Sequence, residues 1–149
     1  MKKLFLFVLL IICLAIANLA LAAGTVTTTI SRATNDTVKI VFAWTADASD
    51  GSVPATATTQ TIDGYVVLVI TNPGGTAPTD NYDITLTDAD SVDIMGGTLA
   101  DRDTSNSEHA VPKIGAVYGG RWVSGTITLN ITNNSVNSAT GTVTIYVQK

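Results

Sequence analysis

Between residues 80 and 103 the chain carries Asp80, Asp83, Asp88, Asp90, Asp93, Asp101 and Asp103, seven of its twelve acidic residues. Carboxylates converging from loops can hold Ca²⁺, a hard cation that takes about six to eight oxygen ligands and is plentiful outside cells. Asp80, Asp88, Asp90 and Asp101 are the candidate ligands. Their spacing is not that of an EF-hand: Asp88-x-Asp90 lacks the third ligand, the glycine and the closing glutamate at the required offsets. The competing reading gives Asp80 and Asp88 to turns, where a short carboxylate bonds local backbone N–H groups, and puts Asp83 and Asp93 on the solvent side of strands.

His109 is the chain's single histidine and stands beside Glu108, close to Ser105 and Ser107. A Ser-His-Asp hydrolase also needs a positioned nucleophile and an oxyanion hole, and no Gly-x-Ser-x-Gly turn is present. Zinc is no better served. The lone cysteine is Cys13, so beyond the leader one histidine and carboxylates would have to complete the site, a donor set that suits harder cations. The favoured reading is a solvated loop histidine in a protein that is not an enzyme, with a hydrolase built on His109 as a distant alternative. Arg121 and Trp122 follow Gly119-Gly120, and Trp122 is out of phase with the apolar face set by Ile127 and Leu129 unless a bulge at Gly125 shifts the register. Trp122 is therefore either an exposed contact anchor beside Arg121 or a cap on the core, and its area favours the cap. The N-glycosylation patterns at Asn35, Asn130 and Asn133 are expected by chance in so Asn- and Thr-rich a chain.

These residues hang on a frame that begins with a secretory leader. Met1-Lys2-Lys3 opens onto an uncharged apolar run over residues 4–21, which closes on Ala20-Leu21-Ala22-Ala23. Cleavage after Ala22 or Ala23 is expected, giving a leader over 1–23 and one domain over 24–149; the alternative is an uncleaved membrane anchor. Ile12 before Cys13 is not the small residue that lipidation requires. Removing Lys2 and Lys3 leaves six basic residues against twelve acidic ones and moves the net charge from -4 to -6. An acidic surface argues against nucleic acid and anionic membranes as partners. Without cysteines the exported domain must rely on a packed core, which its length can supply.

From Gly24 onward apolar residues alternate with threonine, the period of half-buried strands. Val26 and Ile30 open the pattern weakly. Val38, Ile40, Phe42 and Trp44 share one face of a strand over 37–46, followed by a turn over 47–51 and a short edge strand over 55–61. Residues 65–70 are apolar on both faces and read as a central strand, stopped by Asn72-Pro73-Gly74-Gly75. Tyr82, Ile84 and Leu86 pair with Val92 and Ile94 as a hairpin. Residues 96–120 have no sustained period and read as a long connection with little regular structure. Two strands finish the chain, one through Val123, Ile127, Leu129 and Ile131 and one through Val143, Ile145 and Val147. The expectation is all-β: a single antiparallel β-sandwich of about seven to nine strands, Ig-like or jelly-roll.

The stretches Thr71-Asn72-Pro73-Gly74, Pro78-Thr79-Asp80-Asn81-Tyr82-Asp83-Ile84-Thr85-Leu86 and Gly96-Gly97-Thr98-Leu99-Ala100-Asp101-Arg102-Asp103-Thr104 resemble small uncharacterised proteins of tailed bacteriophages and prophages. The likeness covers roughly residues 64–149. It implies a one-domain β-sandwich that decorates a virion head or tail, and assembly rather than catalysis. The leader departs from that pattern and implies use at a cell surface, in the periplasm or as a secreted protein. The expected function is a non-enzymatic structural or surface-interaction protein with no cofactor, forming homo-oligomers or binding an assembly partner, with Thr104, Glu108, Arg121 and Trp122 as interaction candidates. The alternative is an extracellular module that binds Ca²⁺ or carbohydrate.

Overall fold

The computed structural model describes residues 22–149. The leader, its apolar run and Cys13 lie outside the described residues. No helix forms among the described residues, and every strand pairing is antiparallel.

The Thr/apolar alternation builds a six-stranded sheet. Strand β1 (Thr25–Thr34) forms a hairpin with β2 (Thr37–Thr45), and Asn35 and Asp36 supply the turn chemistry between them. Strand β11 (Thr140–Gln148) lies between β2 and β4 (Ile62–Pro73), so the order runs β1-β2-β11-β4. The far edge of β4 is divided between β9 (Arg121–Gly125), which pairs with its first half, and β6 (Glu108–Ala110), which pairs with its second. A three-stranded sheet of β3 (Thr56–Ala57), β10 (Thr128–Thr132) and β5 (Asp83–Thr87) runs in the order β3-β10-β5, and β7 (Lys113–Ile114) with β8 (Val117–Tyr118) makes a separate hairpin.

Both larger sheets contribute to one buried cluster. Ile40, Phe42 and Trp44 of β2, Val143, Ile145 and Val147 of β11, and Val66 and Val69 of β4 meet Ile84 and Leu86 of β5 and Leu129 and Ile131 of β10. The inward sets of β2, β11, β5 and β10 keep the period 2 of a strand, while Val66 and Val69 on β4 are three apart because its register against β11 shifts between them. Tyr82 joins the cluster 6.0 Å from Trp44, ring centroid to ring centroid, in a tilted arrangement. Burial pushes its hydroxyl up to about 12 from 10, against a downward pull from Arg102. In the unfolded chain Tyr82 loses its proton near pH 10, while the folded chain keeps it to about 12. Stability is therefore expected to fall between those two values, and Tyr82→Phe to remove that part of the alkaline slope. Denaturant melts across this range check it; a slope unchanged in Tyr82→Phe would contradict the assignment.

The structure differs from the sequence expectation in five places. Eleven strands form among the described residues rather than seven to nine, because the connection over 96–120 contains β6, β7 and β8. The stretch from Val123 to Ile131 is two strands, β9 in the large sheet and β10 in the small one, with the chain crossing between sheets at Gly125, Thr126 and Ile127. Strand β1 is ten residues long rather than a weak start. Strand β4 is internal as expected but not covered on both faces, since Tyr65 is exposed and Val67, Leu68 and Ile70 are half-buried. Finally, β5 takes β10 as its ladder partner; the segment over 92–94 only closes back on it, through the Thr87–Asp93 bridge and the Ile94 N–H bond to Leu86 O at 2.7 Å.

Candidate functional site

Asp88, Asp93 and Asp103 do their work within their own turns. Asp88 Oδ1 accepts the N–H groups of Asp90 and Val92 at 3.0 and 2.9 Å. Asp93 takes Met95 N–H on one oxygen at 2.9 Å and Gly97 N–H on the other at 2.6 Å. Asp103 Oδ1 takes Ser105 and Asn106 N–H at 2.6 and 2.7 Å, and Asp83 ties Asp101 N–H at 2.8 Å to the Asn133 amide on its other oxygen. The bonds of Asp88, Asp93 and Asp103 are turn bonds, in which a short carboxylate substitutes for a missing backbone acceptor, whereas those of Asp83 join segments 18 and 50 residues away. Bonds of this kind hold two carboxyls acidic. The Ser105 N–H, with the Asn106 side chain and N–H, keeps Asp103 below its ordinary range, and the Ser49 hydroxyl and N–H do the same for Asp47. The stabilisation from each is present above the ordinary carboxyl value and is lost as pH falls through the lowered one.

The four candidate calcium ligands are not brought together. Asn81 N–H bonds Arg102 O at 3.1 Å and Tyr82 bridges Arg102, so Asp80 and Asp101 stand at the start of β5. Asp88 and Asp90 stand beyond its end, and five residues of strand span roughly 16 Å. Among the described residues no three His, Cys, Asp or Glu side chains gather in a metal-binding group.

Three of the four interaction candidates are engaged within the chain. Thr104 Oγ1 donates to Pro78 O at 2.6 Å. Glu108 accepts Asp103 N–H at 2.7 Å and pairs with Arg102 at 3.5 Å, which braces the connection against the start of β5. Arg121 reaches across to the turn after β5, donating to Asp93 O at 2.8 Å and lying 3.8 Å from Asp88. His109 is exposed on β6 opposite Ile70 and borders a shallow hollow with Leu68, Ser107 and Glu108.

Trp122 is free, and it is not a core cap. It stands 51% exposed on the outer face of β9 while its neighbour Val123 is buried. Directly opposite on β4 is Tyr65, 49% exposed, with ring centroids 5.0 Å apart in an edge-on pair. The β7–β8 hairpin adds Ile114, Val117 and Tyr118, all more than half exposed. Its two-residue turn opens with Gly115 at φ 61°, a conformation that suits glycine. Gly119 N–H bonds Pro112 O at 2.9 Å and closes the hairpin's base, and Gly120 then lays the chain against Tyr65 and Val67. Lys113 Nζ lies 5.7 Å from the centre of the Tyr118 ring. Five of the six exposed large apolar side chains named among the described residues thus belong to the run from Ile114 to Trp122 or to Tyr65 opposite it. The signal for this surface in the sequence was the odd phase of Trp122 together with Ile114, Val117 and Tyr118 in a segment without period.

Comparison adds no relative. No family model matches the chain, and no curated protein or solved structure gives a significant match.

Proposed function

We propose that the chain is a non-enzymatic structural or surface-interaction protein, exported behind its leader, whose two larger sheets close as a single β-sandwich. Its contact surface is the strip formed by Ile114, Val117, Tyr118 and Trp122 with Tyr65. That strip is the observation that carries the reading: four large apolar or aromatic side chains exposed within residues 114–122, with a fifth, Tyr65, in ring contact with Trp122, mark a place of contact, and Trp and Tyr dominate contact energies. It sits on β9, which Arg121 ties to the turn after β5, and on a hairpin held by Lys113 N–H to Met95 O at 3.1 Å, so its backbone is fixed before a partner arrives. The phage-like turn punctuation agrees with an assembly role, at a cell surface or on a virion.

Trp122 supplies the test, since the other tryptophan, Trp44, is 2% exposed. In a Trp44→Phe background, iodide is expected to quench Trp122 freely in dilute protein and poorly once the protein is concentrated into assemblies seen by light scattering. Val117→Ser with Trp122→Ser should stop that growth. A monodisperse protein whose Trp122 stays open to iodide at every concentration would remove the assembly reading. A second reading rests on the same rings: exposed Tyr65 and Trp122 also suit the apolar face of a sugar. Shielding of Trp122 by soluble glycan in dilute protein, where no assembly forms, would select it.

A further inference from the structure

Of the sheet edges among the described residues, β1 alone is both long and open. β3 is two residues long, β6 three and β9 five, while the open side of β5 is closed by Arg102 N–H to Tyr82 O, Ile84 N–H to Leu99 O and Ile94 N–H to Leu86 O. β1 runs ten residues with β2 as its one neighbour, so every second residue turns its N–H and C=O away from the protein. Natural edges are blunted by proline, lysine, inward charge or a bulge. From Thr25 to Ser31 β1 has none of these; its irregularity comes later, between Arg32 and Thr34.

That stretch reads Thr25-Val26-Thr27-Thr28-Thr29-Ile30-Ser31, nearly the same chemistry in both directions about Thr28. We infer that β1 pairs antiparallel with β1 of a second copy, around a two-fold axis at Thr28, so that two large sheets join into one. The inference rests on the assembly reading above and names one of its partners. In this register Thr25 meets Ser31, Val26 meets Ile30, Thr27 meets Thr29 and Thr28 meets itself. Three observations converge on it. Thr28 Oγ1 is buried with no hydrogen-bond partner in its own chain, a costly state for a hydroxyl that a turn about χ1 toward the seam would relieve, since Thr–Thr pairs across antiparallel strands hydrogen-bond. Ile30 and Val38 border a hollow of about 500 Å³ rimmed by Arg32, Asn35, Gln60 and Lys149, and Val26 of the second copy arrives opposite Ile30, at its edge. The strand is also uncharged from Thr25 to Ser31 in a chain of net charge -4, so two acidic copies approach here without like charges in contact. A contact of this symmetry closes at two, whereas a patch that binds a different surface propagates. The dimer is therefore the unit from which the aromatic strip would build larger assemblies.

Sedimentation of the mature chain across a concentration series tests it. Wild type is expected at twice the mass of one chain. Thr27 and Thr29 are exposed, so charges there leave folding intact. T27K/T29K sets lysine opposite lysine twice and should give monomers; T27K/T29E sets lysine opposite glutamate twice and should restore the dimer. A monomeric wild type, a dimer that survives T27K/T29K, or a folded T27K/T29E that stays monomeric would each overturn the β1 pairing. If the β1 pairing fails while Trp122 is still shielded on concentration, the assembly reading stands without it. If the dimer behaves as expected while Trp122 stays open, the dimer stands and the assembly reading falls.

Discussion

Gly141→Val is expected to cost about 3 kcal/mol of stability, the upper end of what overpacking a closed core does, and to lower the melting temperature by about 10 °C. Gly141 stands on β11 directly opposite Trp44 on β2. A β-carbon there would lie 2.6 Å from Trp44 Cζ2 and 2.7 Å from Cε2, well inside contact distance. The indole cannot step aside cheaply. It is almost fully buried, packs against Tyr82 and lies beside β11, and its Nε1 has no hydrogen-bond partner, so packing alone fixes its position. In a Trp44→Leu background the same glycine substitution should cost markedly less, because the atoms it strikes are gone; such non-additivity is the signature of direct contact. Equal costs in the two backgrounds would show that the penalty comes from the strand and not from the indole.

Phe42→Ala should be the more damaging change, at about 3–5 kcal/mol. Phe42 is fully buried at the middle of β2, paired with Thr28 on one side and Val143 on the other. Its removal leaves a void beside β2 and β11, each hydrogen-bonded on both sides and with little freedom to collapse into it. Against a total stability of about 5–15 kcal/mol for a domain, this is a large fraction, and urea unfolding should show a lower midpoint with an unchanged slope. A loss below about 1 kcal/mol would mean that neighbouring side chains refill the space.

How much of this could be read from the residues depends on what each residue's role requires. β2 and β11 were legible, since the large apolar residues from Val38 to Trp44 and from Val143 to Val147 recur at every second position and period 2 has one meaning. The passage from β9 to β10 was not, because both sheets turn their inner faces to the same core. Val123, Ile127, Leu129 and Ile131 keep their phase as the chain changes sheets, and only Gly125, at φ 128°, marks the crossing. Trp122 shows the reverse error. Its phase pointed outward, and the weight given to its area pointed inward; the phase was the better guide. For the aspartates, the turn bonds of Asp88 were readable from local spacing, whereas the placement of Asp80 and Asp88 at opposite ends of β5 depends on the fold. The near-palindrome about Thr28 is plain in the sequence, but it acquires meaning only once β1 is known to be an edge.

The position of β11 governs the order in which the molecule can form. The strand at the middle of the large sheet, holding β2 on one side and β4 on the other, is made after every other strand described. Until residues 140–148 emerge, the β1–β2 hairpin and β4 have no common neighbour, and the core lacks Val143, Ile145 and Val147. The chain must then close contacts between residues far apart in sequence, which is slow. A chain cut before residue 140 is therefore expected to leave the large sheet in two unjoined parts, the β1–β2 hairpin and β4 with its edge strands.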